Sequence, residues 1–420
     1  MLNEKQQREL AYVVKIDAIQ PIPGKDRVEC ACVGGWTVMV RKDSLRAGDI
    51  AVYFEIDSKC PETEEFAFLE RVKYKIKTQK YSTGNGSKFF SQGLIMNGAD
   101  FGWKEVRDEN GTIVEFVDGN KKYHLGDFLT ERLGVSYEDP ADNVRKETTD
   151  NSAVFRKHKK FFSNRLVKRL MRYKFFRKIF LAMFGAKKKK KKSDYPYWVV
   201  KTDEERVQNM PFLFPECETK WIVTEKIDGS SSTYTMRNDK KRQLLVCSRN
   251  VLFDTPEKEE RNFYKDSCGN IWLEIAAKYN MAEKLSKMID NIEFSCGQKV
   301  EFVTVQGEIY GGSIQKRGYG PEHRLAVFNV IYKLDGQAPV RLNPVQGEEF
   351  CSDYDLPYVP VLAETRQGIT LPATCAEVIE MAHGESKVDG GMREGLVFRS
   401  LDGTQSFKAV DPEFLVKYHG

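Results

Sequence analysis

Three copies of one short pattern place a lysine two residues before an aspartate and a glycine. They begin at Lys226, Lys333 and Lys387. A lysine amine can attack phosphorus, and the glycine lets the backbone turn and brings a phosphate close. Each copy taken alone is also an ordinary polar turn after a strand, so the pattern is a weak signal. The residues around each copy must decide which lysine does chemistry.

The chemistry of a strand-borne lysine near phosphate is nucleotidyl transfer. Deprotonating an ordinary lysine at pH 7 costs about 4.6 kcal/mol, so the site needs added positive charge. A second lysine and a divalent metal typically provide that charge. The site also needs carboxylates for the metal, an aromatic ring for the base and a polar group for the ribose.

Lys226 is the copy that is followed by residues of all these types. Downstream of it lie Arg249, Glu308, Phe328, Glu394 and Lys408. Lys333 leaves only 87 residues behind it and Lys387 only 33, and neither tail contains the full set. Each downstream residue also has a plainer interpretation: the phenylalanine as core, the arginine as a surface charge and Glu308 as a turn residue. Their order behind Lys226 favours the catalytic interpretation.

The composition describes an ordinary folded protein rather than a membrane or zinc protein. The chain has 420 residues, of which 41% are hydrophobic and 30% charged, which suggests two or three domains. It contains no run of 18 apolar residues, its first seven residues do not resemble a signal peptide, and no Cys/His zinc spacing is present. Nine cysteines, unpatterned apart from Cys30 and Cys32, indicate free thiols in a reducing compartment. We therefore expect an intracellular, cytoplasmic location.

Short strands separated by turn signals dominate the first 130 residues. The runs 28–33 and 36–40 flank Gly34 and Gly35, which predicts a hairpin, and 50–56 is a further strand. Strands at this spacing predict a small β-barrel, preferably of the OB type, with a plain sandwich as the alternative. A short capped helix is predicted at 126–135. The predicted N-terminal domain covers 1–142.

A strongly basic segment follows, within a linker predicted at 143–196. Residues 155–192 hold 17 Lys and Arg and no acid, so the net charge of +5 becomes −12 when they are left out. Apolar residues at helical spacing in 165–183 predict an amphipathic helix, and six lysines follow at 187–192. Three interpretations stay open: an arm on a nucleic-acid backbone, a helix on an anionic membrane, and a solvated connector with a nuclear-import-like run. The last would add a nuclear location to the cytoplasmic one.

Residues 197–420 alternate strands and helices and form the predicted second domain. The predicted fold class is therefore α+β, with an N-terminal OB-like β-barrel followed by a domain of antiparallel sheets with flanking helices. Helices are predicted at 201–209 and 272–290, the second being the longest. The strands predicted in the last third cover 299–305, 324–332, 396–399 and 406–410.

The motif order over residues 221–417 resembles that of the covalent nucleotidyltransferases, which comprise polynucleotide ligases and messenger-RNA capping enzymes. DNA ligases and capping enzymes place an OB module after the catalytic domain. Here the barrel is predicted before Lys226, and the sequence stops twelve residues after Lys408. This arrangement is similar to the ATP-dependent RNA ligase family with an N-terminal OB-fold domain. The stretches 91–94, 126–140 and 201–209 add to the likeness.

The resemblance implies a nucleotide pocket around Lys226. This lysine would attack the α-phosphorus of ATP and hold AMP, with Glu225 contributing to cofactor binding. Arg249 would contact phosphate or ribose, and Arg206 would contact phosphate or RNA. Lys408 would lie on the α-phosphate, lower the pKa of Lys226 and neutralise charge in the transition state.

The resemblance also implies the residues for the base and the metal. Phe328 would stack on adenine, and Glu308 would bind the ribose hydroxyls and reach the metal. Asp228 and Glu394 would complete the site for Mg²⁺ or Mn²⁺. Related RNA ligases often carry Lys-x-Lys in the last motif, whereas this chain has a serine two residues before Lys408. The phosphate contact that the first lysine of Lys-x-Lys would make is then either absent from this chain or provided by Lys417.

The implied function is ATP-dependent joining of RNA 3′-hydroxyl and 5′-phosphate ends through a lysyl-AMP intermediate. The expected substrates are nicked or double-stranded RNA or RNA/DNA hybrids, with RNA on the 3′-hydroxyl side, and the expected oligomeric state is a monomer. Two alternatives remain. One is an RNA-binding protein built on an inactive ligase domain, and the other is a capping-type guanylyltransferase, which would bind GTP covalently instead of ATP.

Overall fold

The computed structural model describes residues 8–137, 167, 195–196, 198–214, 218–253 and 270–419. The predicted amphipathic helix is outside these residues apart from position 167, and the six lysines are outside them altogether. Residues 142, 143 and 197 are also outside, so the domain boundaries at 142/143 and 196/197 stay predictions.

Residues 8–137 form a β-rich module, as predicted. Its strands are β1 (Ala11–Lys15), β2 (Ala18–Pro21), β3 (Val28–Val33), β4 (Trp36–Arg41), β5 (Ile50–Phe54), β6 (Gln79–Ser82), β7 (Lys88–Ser91), β8 (Leu94–Met96), β9 (Lys104–Arg107), β10 (Ile113–Asp118) and β11 (Lys121–Tyr123). They form three three-stranded sheets, ordered β1-β5-β8, β2-β3-β4 and β11-β10-β9, and the hairpin β6-β7. The predicted β3-β4 hairpin is confirmed, with Val33 opposite Trp36 across the two-glycine turn.

One hydrophobic core holds this module together. All five residues of β5 are buried, because the strand lies between β1 and β8 and apolar side chains cover both of its faces. In β4 buried residues alternate with half-buried or exposed ones, which is the two-residue period of a strand with one covered face. Val410 and Leu415 of the second module belong to the same core, so the two modules share apolar packing.

The described residues between 198 and 419 form the second module, and the predicted α+β class is confirmed. Its strands are β12 (Glu205–Arg206), β13 (Trp221–Lys226), β14 (Ser230–Arg237), β15 (Leu244–Ser248), β16 (Leu252–Phe253), β17 (Val300–Tyr310), β18 (Arg324–Leu334), β19 (Val340–Arg341), β20 (Gly395–Ser400) and β21 (Ser406–Val410). They form a four-stranded sheet, β12-β21-β20-β13, and a six-stranded sheet, β16-β15-β14-β17-β18-β19. The chain passes from the first sheet to the second at residues 227–229, between β13 and β14.

Five helices lie in the described part of the second module. They are α1 (Ile271–Lys278), α2 (Met281–Cys296), α3 (Pro344–Ser352), α4 (Cys375–Ala382) and α5 (Pro412–Tyr418). The first three share a core with the six-stranded sheet, and α4 shares one with the four-stranded sheet. Short 3₁₀ turns occur at Glu64–Val72, Gly98–Phe101, Val207–Asn209, Pro211–Leu213, Ile314–Lys316 and Ala363–Thr365. Among the described residues, no helix has the length and apolarity that a membrane crossing requires.

The helix predicted at 126–135 is wrong. The backbone there bonds to the edge of β1 instead: the N–H of Gly126 donates to Val13 O at 2.9 Å and that of Leu129 to Ala11 O at 2.8 Å. The hydroxyl of Thr130 accepts from the N–H groups of Leu10 and Ala11. The carbonyl of Asp127 also accepts from the N–H of Val13 at 2.9 Å, and Phe128 forms an antiparallel bridge with Tyr12, so this stretch is extended beside β1 instead of helical.

The other two predicted helices need correction as well. Within 201–209, residues 205–206 pair in parallel with β21 and a 3₁₀ turn follows, because this stretch lies at the edge of the four-stranded sheet. The long helix predicted at 272–290 is two helices. It is interrupted at Asn280, whose φ of 51° is left-handed and cannot continue a right-handed helix. The four strands predicted in the last third are confirmed within a few residues.

Candidate active site

Lys226 ends β13 at the point where the chain crosses between the two sheets of the second module. Its side chain lines the central cavity, a cleft of about 770 Å³. Of the residues predicted for the site, all line this cavity: Arg206, Glu225, Lys226, Asp228, Arg249, Glu308, Phe328, Glu394 and Lys408. Residues up to 202 positions apart, Arg206 and Lys408, thus line one cleft together with Lys226.

Strand pairing brings Glu394 to Lys226. Lys226 lies opposite Gly395 in the β13–β20 pair, so the residue before Gly395 lies beside the lysine. The Nζ of Lys226 donates to Oε2 of Glu394 at 2.8 Å. Burial lowers the pKa of Lys226, but the carboxylates of Glu394, Glu308 and Asp228 outweigh burial and hold it above the ordinary value. The expected lowering of this pKa is therefore not found, and the amine is protonated in this arrangement.

Three carboxyl groups face the same part of the cavity, as the sequence predicts. Burial, together with Glu394 and Asp228, raises the pKa of Glu308 to about 8, although Lys226 opposes the shift. Burial and Asp228 likewise raise the pKa of Glu394. A divalent cation would remove this repulsion, so the donor set fits Mg²⁺ or Mn²⁺. In the described parts of the chain no three ligand side chains are grouped closely enough to hold a metal directly, so the fit is to a hydrated ion held through water.

Gly229 is required by the close approach of β14 to β17. A Cβ atom at this position would lie 2.2 Å from the carbonyl oxygen of Ile309 and 2.9 Å from Cγ of Glu308. The neighbouring pairs, Ser230 with Ile309 and Ser231 with Glu308, fix this register. The glycine of the motif therefore permits the close approach of this segment to Glu308 and Ile309.

We expect Gly229→Ala to destabilise the fold by about 1–3 kcal/mol, the usual cost of overpacking, and to impair any chemistry at Lys226. Gly336→Ala, in a second copy of the motif, is a matched control. No atom lies within 4 Å of a Cβ there, so the cost is limited to the left-handed φ of 72°. Urea denaturation of both variants measures the difference. Equal losses in the two variants would contradict the close-approach explanation.

Cationic side chains also line the cavity. Nζ of Lys408 lies 3.9 Å from Oδ1 of Asp203, and Nε of Arg249 donates to Oδ2 of the same aspartate at 3.0 Å. Burial is the main cause that lowers the pKa of Lys408 to about 7. The guanidinium groups of Arg206, Arg8 and Arg249 add to the lowering, and Asp203 opposes it. Lys408 rather than Lys226 is thus the lysine with a depressed pKa.

Arg206 is buried, and some of its N–H groups have no hydrogen-bond partner among the described residues. Its residue is 6% exposed, and Nη2 donates to Oδ2 of Asp57 at 3.2 Å. Its Nε and Nη1 find no hydrogen-bond partner among the described residues. Buried charged donors without partners are costly, so this guanidinium is suited to an anion entering the cavity.

A β-bulge brings Phe328 to the cavity. Gln306 pairs with Asn329 and Gly307 pairs with Val327, so Phe328 is an extra residue in the β17–β18 ladder. Bulges of this kind redirect a side chain near active sites. The guanidinium of Arg399 lies 5.9 Å from the Phe328 ring centroid and donates to the Phe328 carbonyl at 2.9 Å. The ring is half-buried and forms part of the cavity wall, where a planar base can stack on it.

The carboxylate of Glu225 accepts hydrogen bonds from a neighbouring loop. The Ser386 hydroxyl donates to it at 2.5 Å and the Lys387 N–H at 2.7 Å. These hydrogen bonds attach the loop that contains the third copy of the motif to Glu225. The cofactor-binding role of Glu225 stays a prediction. Lys333 forms an ion pair with Glu301. Within the described residues, neither Lys333 nor Lys387 lines the central cavity.

The last motif departs from Lys-x-Lys in a definite way. The hydroxyl of Ser406 donates to Glu204, so the serine takes part in a hydrogen bond rather than facing the cavity. Nζ of Lys417 lies 4.9 Å from the ring centroid of Tyr418. Lys417 is not part of the described cavity lining, whereas Lys408, Arg206 and Arg249 are.

Sequence reasoning missed the contribution of the β-rich module to the cavity. Arg8, Asp57 and Tyr137 line the cavity, and the Arg249 guanidinium lies 5.1 Å from the Tyr137 ring centroid. It also missed Asp203 and His419, the latter with Nε2 3.2 Å from Oδ2 of Asp228. Asp203 lay in the stretch 201–209 that was already singled out, whereas no local signal marked the others.

Comparison with known proteins identifies both modules. The RNA ligase family profile matches residues 219–419, and an OB-fold domain profile matches residues 10–97, which confirms the preferred barrel type.

Solved structures of mutants of the Naegleria gruberi RNA ligase are similar over 98% of this chain. One is the apo form, with 24% identity, 98% coverage of that chain and a TM-score of 0.65. One has AMP and Mn, with 26% identity, 99% coverage and a TM-score of 0.64. One has ATP and Mn, with 25% identity, 99% coverage and a TM-score of 0.64. Comparison with curated proteins gave no significant match.

Proposed function

Because the chain belongs to the RNA ligase family, we propose that it is an ATP-dependent enzyme that joins a 3′-hydroxyl to a 5′-phosphate through lysyl-AMP on Lys226. The observation that carries this proposal is the position of Lys226. Its amine lies in one cavity with Glu308, Phe328, Glu394 and Lys408, which are the residue types that nucleotidyl transfer requires. Solved relatives with ATP or AMP and Mn provide additional support.

In the first step, Nζ of Lys226 attacks the α-phosphorus of ATP. The N–P bond forms, the bond to the β-phosphate oxygen breaks, and pyrophosphate leaves. Glu394 already accepts a hydrogen bond from this amine at 2.8 Å, so it is placed to take the proton. Phe328 stacks on the adenine, and Glu308 binds the ribose hydroxyls.

Cationic side chains stabilise the charge that develops on the α-phosphate. Lys408, Arg249 and the unpartnered N–H groups of Arg206 contact the phosphates. Asp228, Glu308 and Glu394 would hold Mg²⁺ or Mn²⁺ through water, and the bound ion would supply further charge neutralisation.

In the second and third steps the AMP group activates the RNA end. An oxygen of the 5′-phosphate attacks the α-phosphorus and Lys226 leaves. The 3′-hydroxyl then attacks the activated 5′-phosphorus, and AMP leaves as the phosphodiester forms. We propose that the ends are held at a nick in a duplex with RNA on the 3′-hydroxyl side.

The test of nucleotide choice is incubation with ATP or GTP labelled at the α-phosphate, followed by denaturing electrophoresis. The proposal expects a covalent adduct with ATP. An adduct formed with GTP alone would indicate a capping-type guanylyltransferase. Absence of any adduct, together with retained RNA binding, would indicate an RNA-binding protein on an inactive ligase domain.

The test of substrate is a panel of nicked duplexes that differ in the sugar on each side of the nick. We expect sealing when RNA provides the 3′-hydroxyl, and little sealing when DNA provides it. Equal rates across the panel would contradict the proposed end specificity.

The basic segment 155–192 is proposed to add a salt-sensitive contact with RNA, because it carries 17 positive charges and no acid. Deleting it should weaken nick affinity most at low salt. Unchanged affinity at low and high salt would leave the membrane and nuclear-import interpretations, which vesicle binding and cell imaging separate. A monomeric, cytoplasmic enzyme is also proposed, and light scattering and fractionation test these two points.

A further inference from the structure

His419, the residue after α5, contacts the aspartate of the first motif copy. Its Nε2 lies 3.2 Å from Oδ2 of Asp228, and both side chains line the central cavity. The aspartate is only 5% exposed, so the imidazole is a direct neighbour of a buried carboxylate. The proposed reaction uses Asp228 for metal binding and does not use the histidine. This contact places the histidine next to the proposed metal site.

Packing places the imidazole independently of Asp228. The N–H of His419 donates to the carbonyl of Leu415 at 2.9 Å, which continues the hydrogen bonding of α5 by one residue. Leu415 belongs to the hydrophobic core of the β-rich module. The centroid of the imidazole ring lies 5.9 Å from that of the Phe414 ring. The histidine is thus presented to the aspartate by a helix that is anchored in a core.

Both modules hold α5 in place. Lys80 and Lys88, from the β6-β7 hairpin, donate to the carboxylate of Glu413 at 2.9 and 2.5 Å. In the second module, the guanidinium of Arg317 lies 4.8 Å from the ring centroid of Tyr418. Arg317 is 7% exposed, so this cation–π contact is shielded from water. The position of the helix end therefore depends on contacts from both modules.

Arg317 also connects α5 to the segment that leads into β20. Its Nη2 donates to the carbonyl of Met392 at 2.5 Å, and Met392 precedes Glu394 by two residues. Glu394 is a second carboxylate of the proposed metal site. The support that places His419 beside Asp228 therefore also holds the backbone next to Glu394.

A carboxylate that holds a hydrated cation must keep a fixed orientation. Hydrogen-bond partners behind metal-binding carboxylates provide this orientation, and the loss of one typically costs about 10- to 100-fold in metal affinity or activity. The Nε2–H of His419 donates to Oδ2 of Asp228, as a neutral imidazole or as an imidazolium. This bond restricts rotation of the carboxylate and leaves Oδ1 for a water molecule of the ion. An aliphatic side chain at position 419 could not replace it.

We propose that His419 is a positioning residue that holds Asp228 in the orientation required to bind hydrated Mg²⁺ or Mn²⁺. This inference rests on the proposed function, because it assumes that the metal of adenylate transfer is held at Asp228. The imidazole acts through the aspartate alone. Removing the donor should therefore weaken metal binding, and returning a donor of the same reach should restore it.

Mn²⁺ binding to the full chain tests the proposal. The electron paramagnetic resonance signal of free Mn²⁺ gives the Kd in the presence of AMP, which cannot adenylylate the lysine, so the readout does not depend on activity. We expect His419→Leu to raise the Kd about 10- to 100-fold. His419→Gln should stay within a few-fold of the wild type, because its amide nitrogen can donate to the same oxygen.

His124→Leu is the matched control. His124 also places its Nε2 beside a carboxylate, 2.8 Å from Oε2 of Glu115 in the β-rich module, and neither residue is part of the described lining of the central cavity. Its Mn²⁺ Kd should equal that of the wild type. Thermal unfolding without metal checks the fold of each variant. If His419→Leu does not fold, His419→Asn takes its place, because the shorter amide cannot reach Oδ2.

Adenylate transfer gives a second readout. With ATP labelled at the α-phosphate, His419→Leu should form the adduct about 10- to 100-fold more slowly at the Mg²⁺ concentration that half-saturates the wild type. Raising the Mg²⁺ concentration should recover part of this loss. The KM for ATP should change little, because the side chains proposed to contact the nucleotide are intact. A merely structural defect would lower the amount of active enzyme equally at every Mg²⁺ concentration.

Each outcome supports or overturns the inference. A weaker Mn²⁺ Kd in His419→Leu that returns in His419→Gln supports it. Equal Kd values for His419→Leu and the wild type would overturn it, and tighter binding in His419→Leu would mean that the imidazole competes with the cation for Asp228. A loss in His419→Gln as large as in His419→Leu would also overturn the positioning role, as would a wild type that binds no Mn²⁺. Absence of an adduct in the wild type would instead contradict the proposed function, and the Mn²⁺ results would stand separately.

Discussion

Lys226→Ala should abolish covalent AMP transfer and reduce RNA sealing at least about 10⁴-fold, the scale of loss when a covalent nucleophile is removed. The chain provides two matched controls in the other copies of the motif. Lys333→Ala loses an ion pair with Glu301, and Lys387→Ala keeps the backbone N–H that holds Glu225. Both controls should retain adduct formation and sealing within a few-fold.

Single-turnover measurements with labelled ATP separate adduct formation from the later steps. Supplying RNA with AMP already attached to its 5′-phosphate should partly restore sealing by Lys226→Ala, because the lysine is then no longer needed as nucleophile. An adduct that persists in Lys226→Ala and disappears in Lys333→Ala or Lys387→Ala would assign the nucleophile to another copy of the motif.

Lys408→Met should reduce adduct formation about 10²–10³-fold, the usual loss when one preorganised charge is removed from a developing anion. The fold should remain intact. At pH 7 a buried lysine with a pKa of about 7 spends much of its time neutral, and methionine replaces it with an apolar chain of similar length. Thermal unfolding at pH 7 should therefore show a Tm equal to or above that of the wild type.

The pH dependence of stability follows from the same pKa. In the folded chain the pKa of Lys408 is about 7, below the ordinary value of 10.5. Between these two pH values the unfolded chain holds more protons, so the stability contributed by this group rises with pH. Lys408→Met lacks this contribution, and its advantage over the wild type should shrink as the pH rises from 7 toward 10.5.

Lys417→Met is the control for this prediction. Lys417 lies on α5 beside Tyr418, and it is not part of the described lining of the central cavity. It should therefore retain full adduct formation. A large loss in Lys417→Met with little change in Lys408→Met would mean that Lys417 provides the phosphate contact.

The choice among the three lysines was accessible from sequence because it depended on residue types and order. Glu308, Phe328, Glu394 and Lys408 follow Lys226 in an order that the two later copies cannot match. The structure places all four in the same cavity as Lys226. The pKa values were less accessible, because they depend on distances. Nothing in the sequence reports that Lys226 is paired with a carboxylate while Lys408 lies among arginines.

The helices show a different limit. The helix predicted at 126–135 has good local signals, but its backbone pairs with β1, more than 100 residues away in the sequence. Conversely, α3 and α4 were missed although each begins with a capping box, formed by Asn343 with Gln346 and by Thr374 with Glu377. These signals were available in the sequence, whereas the edge of β1 was not.

Contacts between the modules were beyond the reach of local patterns. Asn209 accepts from Nε1 of Trp36 at 2.6 Å and donates to Glu55 at 3.1 Å. Arg206 pairs with Asp57, so the arginine that faces the cavity is held by the β-rich module. Such contacts depend on how two folded surfaces meet, and no spacing within one segment encodes that.

The extra residue at Phe328 makes the count of residues in β18 as important as their identity. Substitutions along β18 change one side chain at a time and leave the register intact. Deleting Phe328, the single residue between Val327 and Asn329, would restore a regular ladder with β17 and leave no residue at the bulge. The cavity would then lose the Phe328 ring even though the other residues of its lining were unchanged in type. We therefore expect β18 to tolerate substitutions much better than the deletion of one residue.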